Sequence, residues 1–305
     1  MQNNGSTPNL LNVLLRALLL TLRPHQWVKN LFVAAPLVFS KNLFAGSQLG
    51  RAALGVLAFC LLSGAVYILN DLADVEQDRA HPRKRRRPIA SGQLPAGAAR
   101  VAAVVLVAVG LALACALSWG FLAAFAGYFV LNLAYTNWLK RIPFVDVLAI
   151  AVMFLLRVLA GTFVIHVEAS PWLLACTGLL ACYLGFGKRA HELATSGAAA
   201  TSRRAVLAGY RIAHLRVALW VLAACTIFAY ALYARAPHTV AFFGTSHMIL
   251  TTPFIVVGVG RFLFLVGNRP DAESPTEEML RDKVFLANFV AWVIAVLAVI
   301  YGASV

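Results

Sequence analysis

The chain has 305 residues, 61% of them hydrophobic and only 12% charged, with a mean hydropathy of +0.79 and a net charge of +14. Soluble domains carry roughly 25% charged residues, so these values exclude a soluble globular domain and indicate an integral membrane protein. With no soluble domain and no aromatic residues interleaved among the cations, nucleic acid is excluded as a partner, and the alternating segments of an outer-membrane barrel do not occur.

Residues 1–9 are polar, and 10–22 form an apolar stretch broken by Arg16. The sequence Arg23-Pro24-His25-Gln26-Trp27 that follows lacks the small residues of a signal-peptide cleavage site. Residues 1–22 therefore read as a tail and an interfacial helix, and 23–305 as one transmembrane domain. Spanning length is roughly 17–25 residues. By that rule nine helical spans are predicted, at about 28–44, 50–72, 98–117, 120–137, 146–165, 171–188, 212–234, 239–265 and 284–303. Of the 26 Lys and Arg, 22 fall at the N-terminus and in or beside the loops after spans 2, 4, 6 and 8. The opposite side has only Lys41, Arg51 and Arg235. That asymmetry puts the N-terminus and the even-numbered loops in the cytoplasm of a cell's inner (plasma) membrane. The five cysteines all lie in apolar segments and read as small buried hydrophobes.

The end of span 2 carries the main chemical signal. Asn70-Asp71-Leu72-Ala73-Asp74-Val75-Glu76-Gln77-Asp78 holds four of the chain's twelve acidic residues. Asp71, Asp74 and Asp78 stand at i, i+3 and i+7, which puts them on one face of a continuous helix. Acids at a helix C-terminus oppose the macrodipole, and carboxylates beside a membrane are expensive. A divalent cation carrying a phosphate answers both problems, because Mg²⁺ is commonly held by one or two carboxylates and substrate phosphates. Asn70, one turn from Asp74, is placed to orient that phosphate. The other reading is a solvated helix end.

The loop Asp78-Arg79-Ala80-His81-Pro82-Arg83-Lys84-Arg85-Arg86-Arg87 follows directly. It reads both as a lipid-facing anchor and, through Arg83 and Arg85, as a clamp for phosphate. Gln26, Lys29 and Asn30 open span 1, and Tyr67 sits one turn before Asp71. Lys140 and Arg141 follow span 4. After span 6 come Gly187-Lys188-Arg189-Ala190-His191-Glu192-Leu193, then Arg203 and Tyr210. Lys188 and Glu192, at i and i+4, equally make a simple helix ion pair. Arg157 lies deep in span 5 and needs a partner, for which Asp146 and Glu192 are nearest by depth.

The motif at 70–78 resembles that of the UbiA superfamily of intramembrane prenyltransferases, where it holds Mg²⁺ and a pyrophosphate. Three stretches, residues 23–30, 70–92 and 187–203, are closer to the branch of that superfamily whose members transfer phosphoribose to a polyprenyl phosphate of the cell wall. The resemblance implies an all-α bundle with its site open to the cytoplasm. It further implies Mg²⁺ at Asp71, Asp74 and Asp78, and catalytic roles for those three and Lys29. Phosphoribosyl pyrophosphate, decaprenyl (polyprenyl) phosphate and the bilayer would be partners, with a homo-oligomer left open. Gln26, Tyr67, Asn70, Arg83, Arg85, Lys140, Arg141, Lys188, Arg189, Glu192, Arg203 and Tyr210 would bind substrates for arabinan and cell-wall precursor synthesis.

One departure bears on this. UbiA prenyltransferases carry a second Asp-rich motif after span 6, and this chain has no aspartate between Asp146 and Asp271. Cations stand there instead, which suits an anionic lipid and a sugar phosphate. The alternative is prenyl transfer from a prenyl diphosphate to an aromatic acceptor. A transporter is a third reading, but its charges would sit at the midplane, where this chain has only Arg157.

Overall fold

The computed structural model describes residues 10–196, 205–268 and 275–302. Every regular element among them is helical. In chain order these are α1 (Leu10–Leu22), a 3₁₀ helix (Pro24–Val33), α2 (Ala35–Phe39), α3 (Gly46–Ala73), α4 (Val75–Ala80), α5 (Ala96–Leu117), α6 (Trp119–Asn137), α7 (Val145–Val164) and α8 (Pro171–Ser196). They are followed by α9 (Ile212–Arg235), α10 (Pro237–Phe243), α11 (Thr252–Asn268), α12 (Pro275–Met279) and α13 (Lys283–Gly302).

Seven segments among the described residues are long and apolar enough to cross a bilayer: Gly46–Ala73, Ala96–Leu117, Trp119–Asn137, Val145–Val164, Ile212–Arg235, His247–Asn268 and Lys283–Gly302. The protein is therefore a multi-pass, all-helical membrane protein, with seven spans identified among the described residues against the nine expected. The sixth predicted span, α8, has 26 residues, ample for crossing. It is less apolar than the seven because Gly185, Gly187, Lys188 and Arg189 fall in its second half. The first predicted span does not exist as one helix. Pro36 and the polar Ser40-Lys41-Asn42 interrupt it, and it folds as the 3₁₀ helix, the five-residue α2 and a turn. The eighth begins later than expected, because Gly244 takes a left-handed φ of 71° and ends α10.

α3 packs along α5, α6 along α7, and α8 along both α7 and α9. Phe59 lies at the centre of the first half, with its ring 5.7 Å from Phe121, 5.7 Å from Phe125 and 5.2 Å from Tyr128. Tyr183, Leu215, Leu219 and Phe262 centre the second half. Val104, Trp220, Phe228 and Ile294 point outward on the spanning helices, as expected where the surroundings are lipid.

The 3₁₀ helix is ten residues long, although such runs seldom exceed three or four. Tertiary contacts hold it. Asn30, 1% exposed, accepts from Arg157 Nε at 3.0 Å and from Ser63 Oγ at 3.3 Å. Arg157 also donates to the Tyr128 hydroxyl at 2.6 Å and to the Met153 carbonyl. Its guanidinium lies 4.5 Å from the Tyr128 ring centroid and 5.1 Å from that of Phe154. Its expected carboxylate partners are thus replaced by Asn30 and an aromatic pair. Asp146 is eleven residues away on α7, on the same face but three turns off, about 16 Å.

One turn beyond Arg157, Gly161 lets α7 approach the end of the 3₁₀ helix. A Cβ there would lie 2.1 Å from the Val33 carbonyl oxygen. Gly161→Val should lower the melting temperature of the detergent-solubilised protein, at a cost of ~1–3 kcal/mol. Gly127→Ala, whose Cβ would meet Leu156 at an ordinary 3.8 Å, should melt close to the parent. Equal melting of the two variants would contradict the close approach.

Candidate functional site

The acidic motif sits where α3 passes into α4. Asp74 is shared by both helices, its N–H donating back to Asn70 O at 2.9 Å and its carbonyl accepting from Asp78 N–H at 2.8 Å. Asp74 itself relaxes to φ −96°, ψ 8°. The expected single face therefore divides. Asp71 and Asp78 are buried, at 3% and 1% exposure, and both reach Arg87 Nη1, at 3.1 Å and 2.6 Å. Asp74 is half-buried and lies 3.8 Å from Lys140.

Two local structures deliver the arginines. After α4 the chain makes a short 3₁₀ turn, Lys84–Arg86, against His81, whose Nδ1 accepts from the Arg83 and Lys84 amides. Ile89, Ala90 and Leu94 then bury themselves, and Gly92 supplies a positive φ of 81° for the turn. This fold-back turns Arg87 toward the acids and leaves Arg83, Lys84, Arg85 and Arg86 exposed. On the other side, Arg23 adopts a left-handed φ of 52° ahead of Pro24. Its guanidinium donates to Asp71 at 2.7 Å and stands 5.0 Å over the Tyr67 ring. Arg23 and Arg87 were not among the expected site residues. Buried carboxylates need paired cations, and both arginines precede a proline that restricts their backbone.

The remaining expected residues that the structure describes fall at the same end of the bundle. Lys29 donates to Gln26 three residues earlier, as the three-residue turn of a 3₁₀ helix allows. Asn70 Oδ1 accepts from Thr136 at 2.7 Å. Next to Thr136, the Tyr135 hydroxyl accepts from Arg189 at 3.4 Å, so the end of α6 joins the acidic motif to the cationic patch of α8. Lys188 is half-buried and Arg141 exposed, while Arg203 lies outside the described residues.

Arg189 and Tyr210 are turned inward. Arg189, 1% exposed, donates to Asp146 at 2.6 Å and to Glu192 at 2.6 Å. Arg189 and Glu192, three residues apart, thus form an ion pair along α8. Tyr210 donates to the other Asp146 oxygen at 2.6 Å and accepts from the Phe144 amide. Burial, reinforced by donation to Asp146, pushes its phenol well above its ordinary value, so it keeps its proton at neutral pH. These residues brace the site.

No group of three His, Cys, Asp or Glu among the described residues is arranged to hold a metal by itself. The donor chemistry suits a shared site. Asp71 and Asp78 converge on one guanidinium nitrogen, so a cation already stands between them. Two carboxylates completed by substrate phosphate are the usual setting for Mg²⁺.

The pattern of the UbiA prenyltransferase family matches residues 30–289. The chain is 33% identical over 286 residues to decaprenyl-phosphate phosphoribosyltransferase of Corynebacterium glutamicum, covering 92% of this chain and 85% of that protein. It is 30% identical to the enzyme of the same name from Mycolicibacterium smegmatis, across 97% of this chain and 95% of the relative. Its fold is similar to that of a UbiA homolog from Archaeoglobus fulgidus solved with GPP and Mg²⁺. The TM-score is 0.67 at 20% identity, covering 95% of this chain and 100% of that one. With the family's pattern spanning most of its length and relatives at these identities, the chain belongs to the UbiA prenyltransferase family.

Proposed function

We propose that this protein transfers 5-phosphoribose from phosphoribosyl pyrophosphate to a polyprenyl phosphate such as decaprenyl phosphate, at the cytoplasmic face of the inner membrane. The observation that carries the reading is the asymmetry of the site. One end of the α3–α4 joint presents carboxylates, while the patch on α8 presents Lys188 and a buried Arg189–Asp146 pair with no second aspartate cluster among the described residues. Relatives named for this reaction, matched along nearly their whole length, support it.

In this reading Asp71, Asp74 and Asp78 hold Mg²⁺, which when bound neutralises charge on the departing pyrophosphate. Asn70, fixed by Thr136, orients the diphosphate. Lys29 and Gln26, carried on the 3₁₀ helix, reach the same substrate, with Tyr67 at the side. Arg83, Arg85, Lys140, Arg141, Lys188 and Arg203 bind the 5-phosphate and the lipid phosphate, and Arg189, Glu192 and Tyr210 keep this wall in place. The lipid phosphate oxygen is already an anion, so no strong general base is required. Its lone pair forms the new bond to the ribose C1 as the C1–O bond to pyrophosphate breaks and pyrophosphate leaves with the electrons. The protein's contribution is alignment and stabilisation of an oxocarbenium-like centre. The polyprenyl tail extends sideways between helices into lipid.

The purified protein, given Mg²⁺, labelled phosphoribosyl pyrophosphate and decaprenyl phosphate, should form a labelled phosphoribosyl lipid. The fold is shared with a protein solved with GPP, so labelled geranyl diphosphate and an aromatic acceptor form the control arm. Product there, with none in the first, would overturn the proposal in favour of prenyl transfer. Among the described residues the Asp74 carboxylate has one ion pair, to Lys140 at 3.8 Å, and its side chain is 35% exposed. Asp74→Ala should therefore keep the parent's melting temperature and lose about 10²-fold or more in turnover. Near-parental turnover would remove Asp74 from the catalytic set.

A further inference from the structure

We propose that Arg87 is an internal counter-ion that changes partners. It holds Asp71 and Asp78 while the site lacks ligand and passes to the diphosphate when a metal–diphosphate enters, so that divalent metal binds tightly only together with diphosphate. The inference rests on the reading of the site as a metal–diphosphate centre, and not on which group is transferred.

The side chains of Asp71 and Asp78 are only 4% and 2% exposed. Burying such carboxylates without partners is costly. Arg87 Nη1 serves both, at 3.1 Å and 2.6 Å, and Arg23 adds a second donor to Asp71 at 2.7 Å. Lys84 lies 4.0 Å from Asp78, and Lys140 3.8 Å from Asp74. Three carboxylates thus face four cations, and the cluster is already more than neutralised. A bare dication would have to displace a guanidinium, strand it half-buried and raise the positive charge further. A dication that arrives on a diphosphate removes both obstacles. Its anionic oxygens match the planar fork of the displaced guanidinium, while the freed carboxylates take the metal. Arg87 is placed for such an exchange. Its backbone is extended, at φ −61° and ψ 143°, ahead of Pro88, and its side chain is 27% exposed, so rotation of the side chain alone carries the guanidinium from one partner to the other.

Manganese serves as the probe, its free concentration followed by electron paramagnetic resonance on the full chain in detergent. The parent should bind preformed Mn²⁺–pyrophosphate at least about tenfold tighter than Mn²⁺ alone, an ordinary size for coupling between two ligands. Arg87→Gln should bind Mn²⁺ alone at least about tenfold tighter than the parent does and lose most of the gain from pyrophosphate. Arg87→Lys retains the charge and should keep weak binding of Mn²⁺ alone. An Arg87→Gln affinity for Mn²⁺ equal to or below the parent's overturns the proposal. If that variant does not fold, equal affinity of the parent for Mn²⁺ and Mn²⁺–pyrophosphate overturns it independently. Intact coupling with no phosphoribosyl transfer would sink only the proposed reaction, and transfer without coupling only the role of Arg87.

Discussion

Two carboxylates buried at one end of a hydrophobic bundle must each be given positive charge, and much of this chain's architecture serves that need. Asp71, on α3, and Asp78, on α4, are both buried, where water cannot reach them freely. The cations come from opposite directions in sequence: Arg23 from before the first crossing and Arg87 from a loop that folds back after α4. The Arg23 contact closes over 48 residues and the Arg87 contacts over 16 and 9, so forming the acidic site fixes the N-terminal arm and the basic loop together. A buried ion pair of this kind adds little net stability. Here it ties four elements to one small volume.

The second half of the bundle solves the same electrostatic problem with the signs exchanged. Arg189 is buried together with Asp146; it donates to Asp146, Glu192 and the Tyr135 hydroxyl, and Tyr210 donates to the other Asp146 oxygen. Neighbouring residues at the end of α6 touch each half, Thr136 reaching Asn70 and Tyr135 accepting from Arg189. One wall of the site is thus acid held by base, the other base held by acid. Such an arrangement can receive an anion on a metal beside an anion without one.

Much of this was legible in the sequence because apolar length and charge asymmetry are strong signals in membranes. The helices at α3, α5, α6, α7, α9 and α13 follow directly from them, and the motif at 70–78 located the carboxylates. What escaped depends on tertiary contact. The first span reads as apolar, yet Pro36 and a buried Asn30 make it an anchored 3₁₀ arm. The division of the acidic face at Asp74 is a break between two helices at a residue whose backbone relaxes to φ −96°, ψ 8°, and no residue pattern announces it. Arg157 found Asn30 and Tyr128 because matching by depth ignores how far apart two turns of one helix are. Arg23 and Arg87 lie in the motif-bearing stretches 23–30 and 70–92, but only the fold shows which of many cations turn inward.

The winding of the N-terminal arm has a geometric consequence. A 3₁₀ helix advances about 2.0 Å per residue against 1.5 Å for an α-helix. The ten residues from Pro24 to Val33 therefore reach about 20 Å instead of 15 Å. Arg23 is fastened to Asp71 at one end, and Val33 is pressed against Gly161 at the other. An α-helix would fall short of this separation by about 5 Å and would rotate Lys29 away from Gln26 by about 60°. The distance between the two anchors thus dictates the winding, and through it the facing of Lys29. The arm is a strut cut to length by its end points.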